Sequence, residues 1–321
     1  MAQQSNKNFA IPLAFVGLMF FTLGFALGIN SFLIPVLKES LNLSSGVAYL
    51  LLAATFIPFI IFGYPASRTI AAIGYKRTMA ISFVIFALAF VVFVLSAKNE
   101  SFILFLAASF VSGTANAYLQ ASVNPYITIL GPIDSAARRI SMMGICNKLA
   151  WPVAPLFFAA VVPDSTNVQI ADLYLPFYII IGVFVLLSII SLMAPLPEVK
   201  ATGEDESSAD DCPYAANKTS IWQFPHLLLG VLALFVYVGV ETLALSTAID
   251  YATAVGLPSP DRYAWIPSIG MVVGYICGIV LIPKYLSQDG AMRICASLGV
   301  VGSLLIVLLP AQISIWSIFL M

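Results

Sequence analysis

Charged residues are scarce in this sequence of 321 residues. Asp, Glu, Lys and Arg together make up 9% of it, whereas apolar residues make up 61% and the mean hydropathy is +1.00. A soluble domain of this size does not carry so large an apolar fraction, so the composition predicts a membrane protein surrounded by lipid. The net charge of −1 also excludes the broad basic surface that a nucleic-acid partner requires.

Residues that build metal sites and disulfides are also rare. The one histidine is His226, and the four cysteines are scattered without paired spacing. Neither a metal site nor a disulfide framework is indicated, and no cofactor is expected. The sequence also lacks His-Glu-x-x-His, Gly-x-Ser-x-Gly and Gly-x-x-x-x-Gly-Lys-Ser/Thr. An enzyme or an ATP-driven pump is therefore not expected, because the residues for hydrolysis and for phosphate binding are missing.

Long apolar runs dominate what is present. A membrane span needs about 20 apolar residues. On that basis we expect helices at about 9–36, 47–70, 77–97, 101–130, 139–162, 170–195, 221–250, 263–286 and 291–309. A tenth helix is expected to begin near Ser314 and to stop at Met321, in the middle of a span. Such an ending predicts that the chain is a C-terminally truncated fragment.

The distribution of Lys and Arg predicts the orientation of these helices. With a cytoplasmic N-terminus, ten of these residues fall on the inner side and three, Lys38, Lys98 and Arg262, on the outer side. This asymmetry follows the positive-inside rule. We therefore expect a multi-pass protein with its N-terminus in the cytoplasm. The resemblance to a family of bacterial permeases, described below, implies the bacterial inner membrane as its location.

The polar loop after the sixth helix divides the chain. It predicts an N-terminal half at 1–195, a disordered linker at 196–220 and an incomplete C-terminal half at 221–321. Loops of the two halves repeat one pattern at an offset of 216 residues: a base, a glycine six residues later and an arginine three further on. The residues are Arg68, Gly74 and Arg77 in the first half and Lys284, Gly290 and Arg293 in the second. Two similar halves are typical of one class of secondary transporters, although such turns also recur by chance.

Three amides lie one helical turn apart in the expected fourth helix. Asn116, Gln120 and Asn124 share one face of that helix. Their donors and acceptors suit sugar hydroxyls, and Asn30 and Asn147 offer the same chemistry on other helices. The alternative is that these amides only form hydrogen bonds between helices. Pro125 is expected to break the helix locally and free a carbonyl.

Two charges are expected at mid-membrane depth, Lys148 and Glu241. A charge at that depth costs about 2.5–3.5 kcal/mol, so it usually faces a cavity or a partner. Our hypothesis is that the two residues face a central cavity from opposite halves as a switchable pair, and a purely structural ion pair is the alternative. Trp151, on the face of Lys148, offers a platform for the apolar face of a sugar. Tyr237 lies one turn before Glu241 and joins the expected binding site.

Several stretches resemble a known family. Gly-Tyr-Lys-Arg at 74–77 and the duplicated plan resemble the major facilitator superfamily. Leu-Gln-Ala-Ser-Val-Asn-Pro-Tyr, which opens the stretch 119–131, is similar to the fourth helix of the fucose–proton symporter family, which includes glucose/galactose and N-acetylglucosamine permeases. Segments 30–35, 139–147 and 235–241 extend the similarity. The resemblance implies an all-α membrane protein, a bundle of two six-helix halves of which helices 1–9 and the start of 10 are present.

Two positions depart from that family. Where the fucose symporters carry Asp and Glu, this chain carries Ser31 and Gln120. Both acids bear on proton coupling and sugar binding in that family, so its proton mechanism does not carry over through helices one and four. Glu241 is then the expected coupling carboxylate, with Lys148 as its partner.

The resemblance implies a secondary active transporter that imports a neutral monosaccharide by alternating access. The expected substrate belongs to the fucose, glucose, galactose or N-acetylglucosamine class, coupling is to H⁺ or Na⁺, and the protein is expected to be a monomer. The expected substrate-binding residues are Asn30, Asn116, Gln120, Asn124, Asn147, Lys148, Trp151 and Tyr237. The alternatives are a permease or exporter of another small neutral solute and a sugar sensor that does not transport.

Overall fold

The computed structural model describes residues 10–131, 135–162, 168–194, 196, 218, 220–258, 263, 265–282 and 284–320. In this part of the chain the structure is helical and contains no strand. Apolar runs fold in this way because every backbone N–H and C=O in lipid must find its partner within the segment.

Nine helices of 17 residues or more lie within the described residues, and each coincides with one of the nine expected spans. The helices are α1 (Ala10–Ser40), α2 (Leu50–Ile73), α3 (Tyr75–Lys98), α4 (Phe102–Ile129), α5 (Ala136–Val161), α6 (Tyr174–Met193), α7 (Pro225–Ala254), α8 (Trp265–Leu281) and α9 (Gln288–Leu308). Helices α1 to α6 and α9 are long and apolar enough to cross a membrane, and α7 and α8 contain shorter apolar segments.

The expected start of a tenth helix is a helical segment of mixed geometry in the structure. A single α-turn, Ala311–Ser314, is followed by 3₁₀ turns over Ile315–Leu320. A 3₁₀-helix places residues i and i+3 on the same side. This geometry lets Ile315 and Ile318 both bury their side chains in one cluster.

The expected break at Pro125 is wrong, because α4 runs through it without interruption. Proline removes only one hydrogen bond from the helix, and membrane helices tolerate this when nearby groups compensate. The bond that is missing here is the one to the Ala121 carbonyl. The nearby hydroxyls of Ser122 and Thr128 donate to other carbonyls, those of Tyr118 at 2.8 Å and Pro125 at 2.6 Å.

The chain divides into two compact units, residues 1–131 with 142–199 and residues 132–141 with 200–321. Each unit has a hydrophobic core of its own. The predicted linker at 196–220 lies outside the described residues except for 196, 218 and 220.

The core of the first unit is built around phenylalanine. Four buried phenylalanines of α3 follow a spacing of three and four residues, so they share one face of the helix. They are Phe83, Phe86, Phe90 and Phe93. From α6, Phe184 packs among three of them, with ring centroids 4.8 Å from Phe86, 5.5 Å from Phe90 and 6.3 Å from Phe83.

Phe184→Ala is expected to lower the free energy of unfolding by about 3–5 kcal/mol, because it removes a buried ring and leaves a cavity. Leu186→Ala on the same helix is the matched control, since Leu186 is 55% exposed. The measurement is the thermal unfolding midpoint of both variants in detergent. Equal shifts in the two variants would contradict this assignment of the core.

Glycines allow close contacts between helices in the first unit. A Cβ at Gly24 of α1 would lie 2.0 Å from the carbonyl oxygen of Asn147 on α5. A Cβ at Gly28 of α1 would lie 2.6 Å from the carbonyl oxygen of Trp151 on the same helix. A Cβ at Gly113 of α4 would lie 2.1 Å from the carbonyl oxygen of Thr55 on α2. Only residues without a side chain fit where backbones approach so closely.

Helices α7 and α8 of the second unit begin at positions that correspond to the starts of α1 and α2 in the first unit. Shifting the starts of α1 and α2 by 216 residues gives 226 and 266, and α7 and α8 begin at Pro225 and Trp265. On α7, Ala244, Ala248 and Ala252 are buried with the 3₁₀ turns that follow α9. The agreement in helix starts supports the repeat predicted from the loops.

Candidate functional site

The three amides of α4 lie in two different environments. Asn116 is buried, with 1% of its surface exposed, whereas Gln120 and Asn124 are exposed. The shared face predicted from their spacing is therefore covered over one part of its length and open over the other. Only Gln120 and Asn124 are accessible to a solute in this arrangement.

Asn30 forms part of the packing between α1 and α4. Its Oδ1 accepts a hydrogen bond of 3.1 Å from Ser109 Oγ, and its Nδ2 donates to the Ala26 carbonyl at 3.2 Å. The residue is 1% exposed. Both polar groups of this amide thus have partners within the protein, so the geometry supports a role in packing, and substrate binding by Asn30 stays a prediction.

Asn147 connects α5 to α1. Its Nδ2 donates to the Phe20 carbonyl at 3.1 Å, close to the contact between Gly24 and the backbone of α5. The next residue, Lys148, is partly exposed, and the Trp151 side chain is 37% exposed. Helix α5 therefore packs on α1 through Asn147 and offers Lys148 and Trp151 on an accessible face.

In the second unit, Tyr237 and Glu241 lie one turn apart on α7, close enough for their side chains to interact. Tyr275 of α8 lies close enough to Glu241 to interact with its charge. Cys295 of α9 lies close enough to Tyr237 for an electrostatic interaction between the two side chains. The cluster combines a carboxylate with two phenol hydroxyls, and its groups come from three successive helices.

Sequence reasoning identified Tyr237 and Glu241 but missed Tyr275. The one available signal was a phenol within the otherwise apolar segment Trp265–Leu281. The spacing of residues on α7 cannot show that Tyr275, on α8, lies close to Glu241. Lys148 and Glu241 belong to different units, so their predicted pairing stays a prediction.

Comparison with known proteins identifies the family. The Major Facilitator Superfamily profile matches residues 16–321. The glucose/galactose transporter of Brucella abortus biovar 1 is 30% identical over 327 residues, which cover 98% of this chain and 77% of that protein. The L-fucose-proton symporter of Escherichia coli K12 is 23% identical over 267 residues, covering 77% of this chain and 60% of that protein.

Solved structures show the same fold. A crystal structure of the E. coli fucose:proton symporter matches with a TM-score of 0.79 at 19% identity, over 98% of this chain and 81% of that one. A structure of the proton:xylose symporter matches with a TM-score of 0.59 at 14% identity, over 96% of this chain and 78% of that one. With its helical fold and the match over nearly its whole length, this chain belongs to the Major Facilitator Superfamily.

Proposed function

We propose that this protein is a secondary active transporter that imports a neutral monosaccharide. Membership of the superfamily and relatives named as glucose/galactose and fucose transporters support this function. The observation that carries the proposal is the exposure of two uncharged amides, Gln120 and Asn124, on a helix that is long and apolar enough to span a membrane. Exposed amides in such a helix need a polar partner, and a sugar hydroxyl supplies both a donor and an acceptor.

In the first unit, Gln120 and Asn124 are the proposed contacts to sugar hydroxyls, and Trp151 packs against the apolar face of the ring. Lys148, on the same helix as Trp151, donates hydrogen bonds to a hydroxyl or pairs with Glu241. Asn30, Asn116 and Asn147 support the helices that carry these residues, since their side chains are engaged or buried within the unit.

Transport would follow alternating access, with the predicted halves 1–195 and 221–321 moving about the substrate. The N-terminus lies in the cytoplasm, as the distribution of Lys and Arg favours. The bacterial relatives support the bacterial inner membrane as the location. We propose a monomer as the working unit.

Coupling to H⁺ or Na⁺ is assigned to Glu241. The phenol groups of Tyr237 and Tyr275 lie close to the Glu241 carboxylate. Helices α1 and α4 carry Ser31 and Gln120, neither of which can hold a negative charge, at the positions where the related fucose symporters have acids. We therefore place the coupling ion away from these two positions, and Glu241 offers the carboxylate that they lack.

Gln120→Ala and Asn124→Ala are each expected to raise the KM for sugar uptake by about 2–10-fold with little change in kcat. The reason is that each removes a hydrogen bond worth about 0.5–1.5 kcal/mol in the bound state. Asn99→Ala is the control, because this amide lies at the end of α3 and bonds to the Leu95 carbonyl. Initial rates of radiolabelled uptake over a range of sugar concentrations give both constants. An unchanged KM in both α4 variants would remove these residues from the site.

A further inference from the structure

Helix α4 carries a row of buried polar side chains. Ser109, Ser112 and Asn116 follow one another along α4 at intervals of three and four residues, so they lie on one side of the helix. All three are at most 1% exposed. Ser109 already has a partner on α1, because its Oγ donates to Asn30 Oδ1 at 3.1 Å.

The next turn of α4 carries two polar atoms without such partners. Ser112 Oγ and Asn116 Oδ1 are buried and have no hydrogen-bond partner among the described residues. Serines and threonines elsewhere in these helices donate to the carbonyl four residues earlier, as Thr55 does at 2.9 Å and Thr114 at 3.0 Å. Ser112 makes no such bond, so its hydroxyl is directed away from that carbonyl.

The orientation of the Asn116 amide follows from its other bond. Asn116 Nδ2 donates to the Ser112 carbonyl at 3.4 Å. Exchanging the nitrogen and oxygen of this amide would place two acceptors against each other and leave a donor without a partner. The oxygen is therefore the atom of this amide that lacks a partner among the described residues, as the Ser112 hydroxyl does one turn earlier.

We propose that Ser112 and Asn116 bind one water molecule, which extends the Asn30–Ser109 contact by one turn along α4. Residues four apart on a helix have Cβ atoms about 5–6 Å from each other. One water at about 2.8 Å from each polar atom spans that separation. It donates to Asn116 Oδ1 and bonds to Ser112 Oγ as donor or acceptor. Unpartnered buried polar atoms are costly, and buried waters usually satisfy such groups.

The burial of this pair excludes a larger ligand. A sugar hydroxyl would need access to Asn116, which is 1% exposed, and to Ser112, which is 0% exposed. A sodium ion prefers more oxygen ligands than these two side chains provide. Water is the ligand that fits, and this assignment is independent of which solute the protein transports.

The test is a double-mutant cycle on stability, read together with a high-resolution structure. Ser112→Ala and Asn116→Leu are each expected to lower the unfolding midpoint by about 2–4 °C. The double variant is expected to lie closer to the wild type than the sum of the two shifts, because replacing both partners removes the need for the water. Ser122→Ala, a buried serine that bonds to the Tyr118 carbonyl, is the control and shows no coupling to Asn116→Leu.

The structure of the wild-type protein should show density for one water within hydrogen-bonding distance of both side chains, and that of the double variant should not. Additive shifts in the cycle would overturn the proposal. Coupling without density between the side chains would also overturn it, because it would indicate a direct Ser112–Asn116 bond. Loss of sugar affinity in Gln120→Ala tests the transport site separately from this water site.

Discussion

In cells that produce the Glu241→Gln variant, we expect sugar to equilibrate across the membrane but not to accumulate against its gradient. Glutamine has nearly the size of glutamate and keeps an oxygen that can accept a hydrogen bond from Tyr237. It cannot take up a proton or hold the charge that attracts a cation. The expected result is a complete loss of concentrative uptake, while exchange of external for internal labelled sugar continues. The two measurements are steady-state accumulation and counterflow in membrane vesicles.

Glu39→Gln is the matched control for this variant. Glu39 is an exposed acid in the last turn of α1, so its replacement is expected to leave both accumulation and counterflow unchanged. Retention of full pH- or sodium-dependent accumulation by Glu241→Gln would rule out the coupling role of Glu241. Loss of counterflow together with accumulation would instead assign Glu241 to sugar binding or to folding.

Gly113→Ala is expected to destabilise the protein strongly. A Cβ at this position would lie 2.1 Å from the Thr55 carbonyl oxygen and 2.8 Å from its carbon. Both atoms belong to the backbone of α2, so they can move only if α2 and α4 separate. Overpacking of this kind costs about 1–3 kcal/mol and occasionally more. We expect the upper end of that range, seen as a lower unfolding midpoint and a lower yield of monodisperse protein in detergent.

Gly63→Ala on α2 is the control for this substitution. A Cβ at Gly63 meets nothing within 4 Å, and alanine is favoured over glycine inside a helix by about 1 kcal/mol. This variant should therefore match or exceed the wild type in stability. If Gly113→Ala were as stable as Gly63→Ala, the close approach of α2 and α4 would be wrong.

The helical plan could be predicted from the sequence because lipid imposes one rule on every span. The backbone N–H and C=O groups of an apolar run in lipid must form their hydrogen bonds within the run, and each expected run is therefore a helix. The observed starts of α7 and α8 also agree with the 216-residue offset between the loops. The 3₁₀ turns at Ile315–Leu320 could not be predicted, because they depend on how two isoleucines pack with alanines of α7.

The candidate site could be predicted only in part. Spacing places Asn116, Gln120 and Asn124 on one face, but it cannot show which part of that face neighbouring helices cover. In the structure, α1 contacts α4 at Ser109 and α2 contacts it at Gly113, and Asn116 is buried beyond these contacts. Gln120 and Asn124 lie further along α4 and remain exposed. The approach of Tyr275 to Glu241 likewise depends on packing between helices.

The activity proposed for this protein is the concentration of a neutral monosaccharide across a membrane. The most direct test is accumulation of radiolabelled fucose, glucose, galactose and N-acetylglucosamine in cells that lack their own permeases for these sugars, with and without sodium and at two external pH values. We expect at least one of these sugars to reach a higher concentration inside than outside, and this accumulation to require a proton or sodium gradient. Binding without accumulation would indicate a sugar sensor, and accumulation of none of the four would contradict the proposed activity.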